Sequence, residues 1–267
     1  MLTRTITAVV ALLVFIGVII AGNPTFSIAM ATIILFMIYE SSGAVAKSKA
    51  VKASGYITGA LLILGIYFNM LEVALVLSLI VAMIFVVVIH GKTQYRELFS
   101  MQFMAVYITV FMSYIPKMFS EMGLPIMALV FIIAWGSDTA AYFCGTFFGK
   151  HKLIPKVSPK KTVEGSVGAI ICTALLCALY VFILDKCGYR FGDVAPTVGT
   201  YLRFAFIGLL TSILSQFGDL SASAIKRDAE IKDYGWIFPG HGGFMDRFDS
   251  VVFISPIVYY LCVYLIK

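Results

Sequence analysis

Nine apolar stretches, approximately Thr5–Ala21, Phe26–Ala46, Tyr56–Met70, Glu72–His90, Phe99–Phe119, Gly123–Phe148, Ser166–Leu184, Tyr201–Leu220 and Val251–Ile266, fill most of this chain and constrain its fold more than any other feature. A helix needs roughly 20 mainly apolar residues to cross a bilayer core of about 30 Å. Within that core every backbone N–H and C=O must be paired inside the protein, which leaves helices or a closed barrel. Barrel strands alternate polar and apolar residues, and these runs do not. The expected fold is therefore an all-α polytopic membrane protein of about nine transmembrane helices. Composition bears on the same point: 61% of the 267 residues are hydrophobic and 13% charged, against about 45–50% and ~25% in soluble domains. A water-soluble fold would have no polar surface. We expect one integral membrane domain over 1–267, in which 1–120 holds N-terminal helices of weak motif content and 121–267 holds the catalytic helices and loops.

The first run, flanked by Arg4, has the length of a signal peptide. Gly22-Asn23-Pro24 turns it directly into a second apolar run instead of a cleavage site before polar sequence, so it reads as a retained span. The formal net charge of +6 is informative through its distribution. Fifteen of the 20 Lys and Arg lie at Arg4 and in the 47–52, 92–96, 150–161 and 226–247 segments, all on one side of the expected topology; Lys117, Lys186, Arg190, Arg203 and Lys267 lie on the other. Basic residues in short loops concentrate on the cytoplasmic side. The N-terminus and those loops are therefore expected in the cytoplasm, the protein in the cell (inner) membrane, and the charge is assigned to topology, with no nucleic-acid partner. Cys144, Cys172, Cys177, Cys187 and Cys262 form no Cys-x-x-Cys pair, and small buried hydrophobes describe them better than a disulfide or metal site.

Polar residues inside the apolar runs carry the functional signal. Asp138 and Asp219 sit within or at the end of such runs, where a charge at a helix centre costs roughly 2.5–3.5 kcal/mol, so each calls for a partner or a function. Ser212, Gln216, Asp219, Ser223, Lys226 and Glu230 recur at steps of three or four, giving one helix a continuous polar stripe. That stripe predicts a polar, cytoplasm-facing cavity in the C-terminal half, against the plainer alternative of a hydrogen-bonded seam between helices. The following loop, from Lys232 to Asp249, sets Gly240, Gly242 and Gly243 around His241 and brings Asp246 and Asp249 beside Arg247. Glycines let backbone N–H groups approach an anion, and Mg²⁺ takes one or two carboxylates plus phosphate oxygens. The combination points to metal-dependent phosphate chemistry, with Asp249 as a helix cap the simpler reading of that residue. A second cluster, Lys150-His151-Lys152 and Ser158-Pro159-Lys160-Lys161-Thr162 with Glu164-Gly165, suits phosphate or anionic headgroups. Gly145 through Lys150 falls one residue short of a Walker A loop, so Gly145 and Gly149 are read as a close helix contact.

These residues resemble a known family. Ser223-x-x-Lys226-Arg227-x4-Lys232-Asp233-x5-Pro239-Gly240-His241-Gly242-Gly243-x-x-Asp246-Arg247-x-Asp249 is similar to the signature of CDP-diacylglycerol synthase (phosphatidate cytidylyltransferase). Gln216-x-Gly218-Asp219-Leu220, Trp135-x-x-Asp138-Thr139-x-Ala141-Tyr142 and Ser158-Pro159-Lys160-Lys161-Thr162-x-Glu164-Gly165 fit as well. The resemblance covers mainly Trp135 to Asp249. It implies a nucleotidyltransferase that makes CDP-diacylglycerol and pyrophosphate from CTP and phosphatidic acid for phospholipid biosynthesis. It further implies Mg²⁺ on Asp219 and Asp246, with Asp249, Asp138 and a second cation as further candidates, and a homodimer as a candidate assembly. Lys226, Arg227, His241 and Arg247 would serve catalysis; Lys160, Lys161, Ser223, Lys232, Gly242 and Gly243 would hold substrate phosphates. A transporter, whose intramembrane carboxylates would mark an ion path, and a CTP-using lipid kinase are the competing readings.

Overall fold

The protein is described from a computed structural model over Val10, 13–190, 196–238 and 242–266. Eight of its helical segments are long and apolar enough to cross a membrane, and the chain is an integral membrane protein. In order, the helices are α1 (Asn23–Val45), α2 (Lys49–Tyr67), α3 (Leu71–Ile89), α4 (Tyr95–Met112), α5 (Tyr114–Met122), α6 (Leu124–Phe148), α7 (Val163–Lys186), α8 (Val198–Asp228) and α9 (Phe244–Leu265). These eight spans correspond to the second through ninth expected runs, α4 and α5 sharing one of them. The first run lies partly outside the described residues, with 13–20 helical. Arg4, Lys267 and the Pro239-Gly240-His241 segment also lie outside them.

Turn chemistry sets several boundaries. Gly22 (φ 93°) and Gly123 (φ 82°) take the left-handed backbone region that glycine tolerates, and each is followed by a proline in the first turn of the next helix. The chain divides into two compact units. The first comprises Met1–Lys117 with Ile225–Phe248, the second Met118–Ala224 with Asp249–Lys267. The charged segment after α8 thus groups with the N-terminal helices.

In the first unit, α1, α2 and α4 pack through small residues and polar contacts, the devices available where lipid is as apolar as leucine. A Cβ on Gly55 would run into Met101, and one on Gly59 into Ile38. Thr58 donates to Gln102 at 2.7 Å, and Gln102 donates to Ser54 at 3.0 Å. At one end, the Lys47 and Ser48 N–H groups donate to Glu97 (2.8 and 3.2 Å), and Arg96 pairs with Asp228 at 2.8 Å. The basic loops of this unit therefore share an end.

In the second unit, α6 and α7 cross closely. A Cβ on Gly165 would lie 2.8 Å from the Ala141 carbonyl, and one on Gly145 would lie 2.9 Å from the Thr162 hydroxyl. Gly145 thus serves helix packing, as its spacing suggested. Between these helices β1 (Lys152–Ile154) and β2 (Ser158–Thr162) form a short antiparallel hairpin where the sequence suggested only a polar loop. The five cysteines are free thiols. Cys177 and Cys262 are buried as expected, but Cys172 and Cys187 are exposed.

Candidate active site

The polar stripe of α8 proves to be of two kinds. Ser212 is buried and shares a 2.8 Å hydrogen bond with Ser137 of α6. Gln216 bonds the Ser166 side chain and donates to its carbonyl at 3.3 Å. This stretch is the interhelical seam. One turn on, the character changes. Asp219 forms an ion pair with Lys161, and Ser223 donates to its Oδ1 at 3.3 Å. Both partners of the pair are about a quarter exposed (22% and 24%). Glu230, the last member of the predicted stripe, lies past the helix end with φ 56°.

Lys161 reaches Asp219 because of the hairpin. Thr162 ends β2 and caps α7, accepting the Gly165 N–H at 3.1 Å. Glu164, in the first turn of α7, accepts the Lys150 N–H at 3.0 Å and contacts His151 Nδ1 at 2.6 Å. The Val163 N–H donates to the His151 carbonyl at 2.9 Å. His151 ties the entry of the hairpin to the helix that follows it.

Asp246 is held differently. It is the third residue of α9, and its side chain is 2% exposed. Oδ1 accepts Lys226 Nζ at 2.8 Å; Oδ2 accepts the N–H groups of Tyr234 (2.8 Å), Gly243 (3.1 Å) and Gly235 (3.4 Å). The Lys226 ammonium also stands 5.5 Å from the centre of the Tyr234 ring, on its face. Gly242 has φ +83°, and a Cβ there would lie 2.9 Å from Asp246 Oδ2, so the glycine allows the loop to close on the carboxylate. Phe238 N–H donates to the Gly242 carbonyl at 2.9 Å and ties the ends of this loop together.

The remaining candidates fall into several settings. Lys160, Arg227, Lys232 and Arg247 are exposed, as is Asp138 on α6. Asp249 is buried, 7% exposed, and accepts the Ser250 N–H at 2.7 Å. Since α9 begins at Phe244, Asp249 sits in its second turn and does not cap it. His241 lies outside the described residues. Among the described residues no group of three or more His, Cys, Asp or Glu is arranged as a metal cage. Magnesium does not require one, because it commonly keeps its waters and takes one or two carboxylates with substrate phosphates. Asp219 and Asp246 suit that role: each already presents a carboxylate oxygen to a cation, the ammonium of Lys161 or Lys226.

The sequence profile of the Cytidylyltransferase family matches residues 2–265. The chain belongs to that family. This cytidylyltransferase-family protein, a nucleotidyltransferase, is 31% identical to the phosphatidate cytidylyltransferase of Bacillus subtilis over 97% of its length and 96% of the relative's. It is 31% identical to the enzyme of that name from Staphylococcus saprophyticus and 28% identical to that from Staphylococcus haemolyticus, each match covering 97% of both chains. The match extends over the N-terminal helices, which the motifs left unassigned.

One residue of those helices was overlooked. Glu40, inside the second apolar run, is 4% exposed, and its Oε2 accepts the Met245 N–H at 2.9 Å. The cost of an intramembrane carboxylate that singled out Asp138 and Asp219 applies to Glu40 as well, so the signal was present.

Proposed function

We propose that this protein is a phosphatidate cytidylyltransferase, converting CTP and phosphatidic acid to CDP-diacylglycerol and pyrophosphate with Mg²⁺, at the cytoplasmic face of the cell membrane. The observation that carries the reading is the pairing of Asp219 with Lys161 and of Asp246 with Lys226, in a chain matched end to end by relatives bearing that name. Each pair offers the two things a polyphosphate reaction needs: a carboxylate for a cation and a cation for a phosphate.

In the reaction, a phosphatidate oxygen forms a bond to the α-phosphorus of CTP while the bond to the bridging oxygen of the β-phosphate breaks in line, and pyrophosphate leaves with the electron pair. The nucleophile is already an anion, so no general base is needed. Bound Mg²⁺ would supply charge neutralisation of the phosphates and the leaving group, with Asp219 and Asp246 each proposed as a carboxylate ligand. Lys160, Lys161, Lys226, Arg227, Lys232 and Arg247 are the cations available to substrate phosphates, with Ser223 and the Gly242 N–H as further donors; the Gly243 N–H is instead taken up by Asp246. His241 serves as a hydrogen-bond donor to the leaving group or as its acid.

Purified protein in micelles containing phosphatidate and Mg²⁺ tests this directly, with CTP labelled at the α- or the γ-phosphate. The α-label is expected in the lipid product and the γ-label in pyrophosphate; γ-label in the lipid would instead mean a kinase. Product formation without a sealed compartment excludes transport as the sole activity. Asp219→Asn and Asp246→Asn are each expected to lower turnover by at least about 100-fold in protein that stays monodisperse, and chelation of Mg²⁺ to stop it. Substantial Mg²⁺-dependent turnover in either variant would remove that residue from the metal assignment.

A further inference from the structure

The start of α9 lacks a normal cap. An α-helix leaves its first N–H groups without intrahelical partners, and a Ser, Thr, Asp or Asn at the N-cap usually accepts the N–H two or three residues on. Here the N-cap position is Gly243, which has no side chain. Half of a capping box is nevertheless present: Asp246, third in the helix, reaches back to the Gly243 N–H at 3.1 Å. The other half comes from α1. Glu40 Oε2 accepts the N–H of Met245, second in the helix, at 2.9 Å, and the Phe244 N–H also donates to Glu40.

The fit explains two glycines. A Cβ on Gly243 would run into the Glu40 carboxylate, which fills the space where an N-cap side chain would stand. A Cβ on Gly235 would meet the same carboxylate. Gly235 and Gly243 are also two of the three residues whose N–H groups bind Asp246. Glu40 and Asp246 therefore share one piece of backbone. The positive end of the α9 dipole offsets part of the cost of burying the Glu40 charge.

We infer that Glu40 is the N-cap of α9 supplied from another helix, and that it acts as a positioning residue, fixing the 242–245 backbone so that Asp246 is held for nucleotidyl transfer. The catalytic part of this inference rests on the function proposed above. The capping part does not.

The test uses the full-length protein in detergent and two separate measurements: hydrogen–deuterium exchange over 242–249, and turnover of CTP with phosphatidate. Glu40→Ala is expected to speed amide exchange at Phe244 and Met245 about tenfold and to lower kcat by a similar factor, with a smaller change in KM for CTP. Glu40→Gln keeps an acceptor oxygen and should stay within about threefold of wild type in both. The decisive variant is Glu40→Ala with Gly243→Ser. Gly243→Ser alone collides with Glu40 and loses activity, but with Glu40 shortened the serine hydroxyl caps the helix from its own chain and restores most of the protection and turnover. The inference is overturned if Glu40→Ala leaves exchange and kcat within twofold of wild type, if Glu40→Gln is as impaired as Glu40→Ala, or if the double variant is no better than Glu40→Ala. A wild-type protein that makes no CDP-diacylglycerol would sink the functional reading and leave the exchange comparison standing.

Discussion

Lys226 and Asp246 form the most buried ion pair among the described residues, with side chains 12% and 2% exposed. Removing one member of such a pair leaves a charge in a poorly solvated site, which costs more than losing both. Lys226→Met should destabilise the protein by about 3 kcal/mol, the low end of the usual range, because three backbone N–H groups still bind Asp246. Adding Asp246→Asn should recover part of that loss. Thermal unfolding in detergent measures both; a double variant less stable than Lys226→Met alone would mean that the two side chains are not coupled. Lys161 and Asp219 differ in being partly exposed, so the same exercise there should move stability less and affect mainly activity. Residue types and spacing marked Asp219, Lys226 and Asp246 in advance. They could not say that lysines already sit on the carboxylates, because Lys161 and Asp219 are far apart in the chain and no local pattern records their meeting.

At the level of elements, the β1–β2 hairpin depends on a chain of small fits. Thr162 caps α7, Glu164 holds the hairpin entry, and Gly165 lets α6 and α7 approach. Gly165→Ala would place a Cβ 2.8 Å from the Ala141 carbonyl and 2.9 Å from the Thr162 hydroxyl. Backbone cannot retreat as a flexible side chain can, so the substitution should cost about 1–3 kcal/mol and disturb the cap that orients Lys161. A lower melting temperature together with reduced turnover is the expected result; an unchanged melting temperature would show that the helices can separate there at no cost. Helices were legible because apolar runs of this length have few alternatives in a bilayer. The hairpin was not, since its lysines, serine and prolines read as an ordinary polar loop and its strands are only 3 and 5 residues long. The start of α9 was also misplaced, because the expected helix began where its apolar run began, at Val251. The real start, Phe244, is set by Asp246 and Glu40, whose polar side chains look like loop until their partners are known.

For the whole molecule, the uneven distribution of Lys and Arg makes a prediction about sidedness. Cys187, exposed after α7, should react with a membrane-impermeant maleimide added to intact spheroplasts, whereas a cysteine placed at the exposed hairpin position Lys156 should react only in inside-out vesicles. The reverse pattern would put the candidate site on the wrong side for cytosolic CTP. Sequence by itself determined the helical membrane architecture, since composition and run length leave the backbone no other way to satisfy its hydrogen bonds in lipid. It also marked most of the candidate site, because charges within or beside apolar runs are too costly to be incidental. Tertiary structure decided which charges meet, which polar residues of α8 serve only as a seam, and why Gly235 and Gly243 must lack side chains. That last answer needed Glu40, which approaches across 205 residues of sequence separation. Contacts of that kind follow from how helices pack, and a one-dimensional pattern carries no term for them.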